Sequence, residues 1–311
     1  MSFWESKFGA LLGVLLVACL LVVSIVGVRV YLATHPERQT DDGFDFNSML
    51  MRVEQVQFPA ADGTRLAGWL IEGDDAKPPV LLCHDLGSSK ASQVSLGIEL
   101  QHRGFTVLML DFRGHGESGG RSSTLGLDEK RDVVGALDFL AERRGGDGGR
   151  VGVYGVGMGA HAAVLAAVDR PSLRVLVLDA LYPDVSEPLA RQVFAGWEPG
   201  IRGLSIVSKG LFALMYRTRI GEHRAADALP GLLGRDVLLL APAGDPELTA
   251  EIQRMVESIP EQPEVDGNMV VLPATQGDNL YGEDLDRHRQ QVAGFLEHRL
   301  GGGAIPVARA R

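Results

Sequence analysis

The chain has 311 residues, 45% of them hydrophobic, which is enough for one sizeable core plus an anchor and too little for two ordinary domains of this kind. Asp and Glu number 40 against 30 Lys and Arg, a net charge of -10, which excludes nucleic acid as a partner and argues against broad adhesion to anionic headgroups. Two cysteines, Cys19 in an apolar run and Cys83 in a candidate buried strand, make no disulfide framework, so the fold does not require an oxidising compartment.

Residues 1–7 form a short N-terminal tail. Phe8 to Val28 is uncharged and dense in Leu and Val, and roughly 20 such residues cross the hydrocarbon core of a bilayer. We therefore place a transmembrane helix at residues 8–31, with Trp4 and Tyr31 where interfacial aromatics stand. A cleaved secretory signal is the alternative, though its apolar region is shorter, about 7–15 residues. Leu16-Val17-Ala18-Cys19 resembles a bacterial lipobox, but the sequence stays apolar to Val28 where a mature lipoprotein turns polar. Lys7 and the terminal amine nearly balance Arg29 and Arg38, so positive charge does not assign the side on which the rest of the chain lies.

Residues 32–48 read as a polar tether, and 49–300 as one domain. Val53 to Phe58 and Arg65 to Ile71 are two strands around an Ala61-Asp62-Gly63 hairpin signal. Short apolar runs follow at Val80–Cys83, Val107–Leu110, Val151–Tyr154, Val175–Leu178, Val237–Leu240 and Met269–Leu272. Continuous apolar character marks strands covered on both faces. Between them, Ser92–His102, Leu127–Arg144 and Leu285–Leu300 carry helical periodicity; in the second, Val133, Leu137 and Leu140 recur at four- and three-residue steps. Strands alternating with helices predict an α/β fold with a doubly wound, mostly parallel sheet. Residues 186–228 exceed one crossover and read as a small insertion, with an apolar helix at Leu204–Tyr216 that is either a lid or an ordinarily packed element. The tail 301–311 is expected to be disordered.

The run Val107-Leu-Met-Leu-Asp-Phe-Arg-Gly-His-Gly-Glu-Ser118, with Leu81-Leu-Cys-His-Asp-Leu-Gly-Ser-Ser-Lys90 before it, resembles the strand-and-loop signatures of the α/β-hydrolase superfamily, in that family's order. The closest flavour is the membrane-anchored branch related to serine aminopeptidases and dienelactone hydrolases. The resemblance covers residues 50 to 300 and implies an eight-stranded, mostly parallel sheet with helices on both faces. It also implies a Ser-Asp-His triad, and here the chain departs from the pattern. In Gly155-Val156-Gly157-Met158-Gly159, Gly157 stands where the nucleophilic serine belongs, so acyl transfer through this residue has no attacking oxygen. Glycine relieves the strained backbone of such a turn, which costs on the order of 1–3 kcal/mol. Asp245 matches the acid, with a helix cap before Glu247 as its alternative role. Asp278 falls where the histidine belongs, and His288 and His298 lie within the following helix as poor substitutes. The oxyanion loop reads His84-Asp85-Leu86 rather than His-Gly, so a carboxylate stands beside the donors, Met158 among them, that serve a developing negative charge.

Asp245, Asp278, Asp85 and His84 lack the spacing of a metal loop, and we expect a solvated acidic rim and no metal. Gly155, Gly157 and Gly159 lack the spacing of a dinucleotide fingerprint, and no cofactor is expected. His115 and His161 read as structural. Together these features lean towards a pseudo-hydrolase: a membrane-anchored binding or assembly subunit whose partner is a membrane protein or a multi-subunit membrane complex. Two alternatives stand beside it: an esterase-like hydrolase of unusual mechanism, and a vestigial pocket that binds a small apolar ligand.

Overall fold

The computed structural model describes residues 3–39, 52–145, 150–197, 204–218, 221, 223–242, 244–259, 269–274 and 282–301. They divide into two units, one made of the N-terminal helix with residues 186–220, the other of residues 36–185 with 221–311.

The larger unit is built on one eight-stranded sheet. Its strands are β1 (Val53–Pro59), β2 (Arg65–Ile71), β3 (Val80–Cys83), β4 (Val107–Asp111), β5 (Val151–Val156), β6 (Leu173–Asp179), β7 (Asp236–Pro242) and β8 (Met269–Ala274). Their order is β1-β2-β4-β3-β5-β6-β7-β8, antiparallel from β1 through β4 and parallel from there on. The chain is therefore an α/β fold with the mostly parallel sheet that its sequence implies. Side-chain alternation divides the strands between two cores. Leu81, Cys83, Val153 and Leu176 join α3 (Lys130–Arg143), α4 (Met158–Asp169), α7 (Ala225–Ala228) and α8 (Pro246–Glu257) on one face. Val80, Leu82, Tyr154 and Val177 join α2 (Val94–His102) and α9 (Glu283–Leu300) on the other. Burial on both faces is why these strands read as continuous apolar runs, whereas edge strand β1 buries only alternate residues.

The smaller unit contains α1 (Phe3–Thr34), α5 (Ser186–Val193) and α6 (Ser205–Tyr216). α1 outruns the expected 8–31, because nothing breaks a helix until Pro36 and internal hydrogen bonding carries the polar ends. The insertion is also shorter than the expected 186–228. α7 belongs to the larger unit, where Ala225, Leu229 and Leu232 are fully buried in the core beside α4.

The expected tether 32–48 begins as the last turn of α1, and its next residues are held rather than free. Arg38 Nη1 donates to the carbonyls of His115 (3.4 Å), Gly116 (2.7 Å) and Ser118 (2.6 Å), and its Nη2 to that of Gly120 (2.7 Å). The remainder of that tether, and the tail beyond Gly301, lie outside the described residues.

Candidate active site

β5 turns into α4 at Gly157, whose φ of 49° and ψ of -107° are strained for any residue with a Cβ. Its neighbouring glycines serve close packing. A Cβ on Gly155 would lie 2.6 Å from Ala160 N, and one on Gly159 would lie 2.4 Å from the carbonyl oxygen of Cys83. The strand-to-helix turn is thus sharp, with Gly157 at its tip and both flanking glycines packed against backbone.

The space that a side chain at position 157 would fill belongs to Asp85, in the loop after β3. A Cβ on Gly157 would sit 2.2 Å from Asp85 Oδ1 and 2.7 Å from Oδ2. Oδ1 accepts from the backbone N–H of Leu86 (2.7 Å) and of Met158 (2.8 Å). One donor follows the elbow residue and the other lies in the loop after β3, the pair that forms an oxyanion hole in this architecture. A carboxylate oxygen of the chain itself therefore occupies the hole. Burial pushes the Asp85 carboxyl above its ordinary value, and the negative charge of Asp179 adds to the rise; the two backbone donors oppose it.

Two imidazoles fix this loop. His84 Nε2 accepts from Phe112 N–H (3.1 Å), so Nδ1 of the neutral ring carries the proton and donates to the Asp85 carbonyl (2.7 Å). His115 Nε2 accepts from Gly87 N–H (3.1 Å), and its Nδ1 donates to the Arg113 carbonyl (2.9 Å). Burial lowers both pKa values, which favours these neutral forms. Gln39 Nε2 donates to the Gly87 carbonyl at 2.7 Å, so the segment after α1 also grips the oxyanion loop.

One strand over, His288 of α9 is held in the core. Its Nε2 donates to Asp179 Oδ2 at 2.8 Å, and Tyr154 Oη donates to the same oxygen at 3.0 Å. Asp179 ends β6, its backbone carbonyl accepts from Gly157 N–H (2.9 Å), and its Oδ1 is buried without a hydrogen-bond partner among the described residues. The carboxylate of this imidazole–carboxylate couple thus belongs to the residue whose carbonyl holds the elbow N–H, and its imidazole is one of the two helical histidines that the sequence offered as poor substitutes for a base. The two side chains of the couple are 4% and 0% exposed, in the core between α9 and the sheet. Ala180, next in the chain, holds a φ of 51°, a conformation an alanine adopts only at some cost. A charged residue closing the apolar run 175–178 was the available signal for Asp179; nothing local in the sequence marks His288 as its partner.

Asp245 caps α8, accepting from Leu248 N–H at 3.0 Å. Asp278 lies outside the described residues. Among the described residues no three His, Cys, Asp or Glu side chains gather as metal ligands do. His161 stacks on Tyr182 with centroids 4.8 Å apart, and both its ring nitrogens face backbone carbonyls. At the opposite, amino-terminal ends of the strands, a cavity of about 550 Å³ is lined by Asp75, Leu137, Arg143, Arg144, Arg150 and Arg170.

The elbow, the oxyanion donors and the sheet order define an α/β-hydrolase. The model of the X-Pro dipeptidyl-peptidase (S15 family) matches residues 50–212, just over half of the chain, and the chain belongs to that family. It is 32% identical over 143 residues to an uncharacterized protein of Mycobacterium tuberculosis, covering 45% of this chain and 50% of that one. It is 30% identical over 151 residues to the uncharacterized protein YfhR of Escherichia coli, covering 46% of this chain and 52% of that one. The chain spans about half the length of these curated relatives. Among solved structures, an esterase of Pyrococcus furiosus matches with a TM-score of 0.65 at 21% identity, covering 86% of this chain and 98% of that one, a likeness of fold alone.

Proposed function

We propose that this chain is a membrane-anchored α/β-hydrolase-fold protein that performs no acyl transfer, and serves as a binding or assembly subunit for a membrane protein or membrane complex. One observation carries the reading: the Asp85 carboxylate sits on both oxyanion donors and in the volume where a side chain at position 157 would begin. A substrate carbonyl then meets a filled hole and no attacking oxygen. The anchor is α1, the one helix among the described residues long and apolar enough to cross a membrane. A fluorophosphonate probe for serine hydrolases tests the catalytic half of this proposal. The purified full-length chain is expected to stay unlabelled, and labelling of the native chain overturns the reading. Co-purification from native membranes tests the other half, with a stoichiometric membrane protein as the expected result.

The other reading, an esterase of unusual mechanism, rests on likeness of fold, and the buried Asp179–His288 couple is its candidate proton carrier. Under that reading, ester turnover is lost in His288→Gln. Turnover unaffected by the substitution excludes it.

A further inference from the structure

The net charge and the exposed apolar surface of the chain are unevenly placed, and both departures fall on the insertion. Residues 186–220 carry Arg191, Arg202, Lys209, Arg217 and Arg219 against only Glu187 and Glu198, within a chain of net charge -10. Among the described residues outside α1, the large hydrophobic side chains left exposed are Val168, Ile206, Leu214 and Met215, and three of these four belong to α6. Ile206 is 77% exposed and Leu214 76%, two turns apart on one stripe with Gly210 between them; Met215, 42% exposed, flanks it. The opposite stripe, Ser208 and Phe212, is buried. α6 thus shows solvent the kind of surface that a water-soluble helix hides.

Its packing within the smaller unit says what covers that surface. α1 buries Val26, Val30 and Thr34 at four-residue steps. A Cβ on Gly27 would meet Leu211 Cδ1 at 3.8 Å, and Tyr216 Oη donates to Thr34 Oγ1 at 2.6 Å. Arg29 Nη2 donates to the Ala195 carbonyl (2.9 Å), and its guanidinium lies 5.2 Å from the centre of the Trp197 ring. The uncharged stretch of α1, Phe8–Val28, has 21 residues, about 32 Å at a rise of about 1.5 Å per residue, so it fills roughly 30 Å of hydrocarbon and the charge of Arg29 follows it. The last two turns of α1, where α6 packs, therefore emerge at the headgroup level. Tyr31 lies in these turns, Trp197 sits against Arg29 and Tyr216 against Thr34, as aromatics do at a bilayer interface.

We propose that the insertion is a second membrane contact, in which α6 sits beside the emerging end of α1 with Ile206, Leu214 and Met215 in the headgroup–acyl boundary of an anionic bilayer. Basic residues on the same segment meet the lipid phosphates. The acidic remainder of the chain opposes broad adhesion, so the contact is confined to this element. The proposal rests on α1 spanning the membrane.

The full-length chain tests it after reconstitution in mixed phosphatidylcholine and phosphatidylglycerol vesicles. In a Cys19→Ala background, with Cys83 buried, one cysteine at a time is introduced as Leu12→Cys, Ile206→Cys, Leu214→Cys or Val168→Cys and labelled with a fluorophore. Lipids carrying a nitroxide near the top of the acyl chain then quench whatever they touch. Emission is expected to fall roughly twofold or more at positions 206 and 214 and to stay unchanged at 168. Quenching at 12 with none at 206 and 214 overturns this inference and leaves the anchor standing. No quenching at any position overturns both. Fluorophores at 206 or 214 that instead quench one another between chains show that a second copy covers the face, which also overturns it.

Discussion

At the scale of single residues, the site turns on two substitutions that exclude their alternatives. Asp85 can lie over the elbow only because position 157 has no Cβ, and a serine there would collide with the carboxylate at 2.2 Å. Gly157→Ser alone is therefore expected to destabilise the fold by about 1–3 kcal/mol, from the collision and from the strained φ. Asp85→Ala leaves two backbone donors without an acceptor, at about 1–3 kcal/mol if they stay dry. In the double variant the collision is gone, so the two losses should sum to more than the combined loss, with a coupling of about 0.5–3 kcal/mol. Denaturant midpoints of the four chains measure this, and simple additivity would show that Asp85 does not hold the hole. The glycine at 157 was legible from the sequence because the motif around it is local. The resemblance put Asp85 beside the oxyanion donors, but that its Oδ1 turns in to accept from both was not legible, because the donor Met158 lies 73 residues away.

At the scale of elements, the elbow depends on how closely α4 approaches the end of β3. A Cβ on Gly159 would meet the carbonyl oxygens of Cys83 at 2.4 Å and of His84 at 2.7 Å, and backbone atoms cannot swing aside as side chains do. Gly159→Ala is therefore expected to cost more than about 2 kcal/mol, although alanine favours a helix by about 1 kcal/mol over glycine. Gly294 in α9 is the contrast: among the described residues nothing beyond its own stretch of helix backbone lies within 4 Å of its Cβ position, so Gly294→Ala should be neutral or stabilising by up to about 1 kcal/mol. Thermal melts of the two variants separate packing from propensity, and equal effects would refute the close approach. Strand and helix positions were legible because burial on both faces and helical period are written locally. Boundaries followed tertiary packing instead. The predicted helix at Ser92 begins as a tight turn at Lys90, whose ammonium is buried against Asp111 at 2.7 Å.

At the scale of the whole molecule, acid is the expected route to unfolding. Burial holds the His161 imidazole at about 4 against an ordinary 6.5. As pH falls from about 6.5 to about 4, the unfolded chain takes up this proton and the folded chain does not, so stability drops, by up to about 3 kcal/mol over the full interval. Asp85 acts in the opposite sense: with its pKa raised, the fold binds a proton before the unfolded chain does, and gains stability on acidification. The test isolates His161 by comparing the native chain with His161→Gln in denaturant titrations from about pH 7 to about pH 4. The native chain should lose stability relative to the variant over that range, and parallel curves would contradict a neutral, buried ring. What the sequence by itself determined is the alternation of strands and helices, the long apolar helix and the empty elbow, because each is carried by neighbours in the chain. Only the tertiary structure decided that Asp85 fills the oxyanion hole, that His288 meets Asp179 across 109 residues, and that Arg38 reads four carbonyls some 80 residues on. Such pairings depend on sheet order and on the direction each side chain takes from its element, and neither is written in local periodicity.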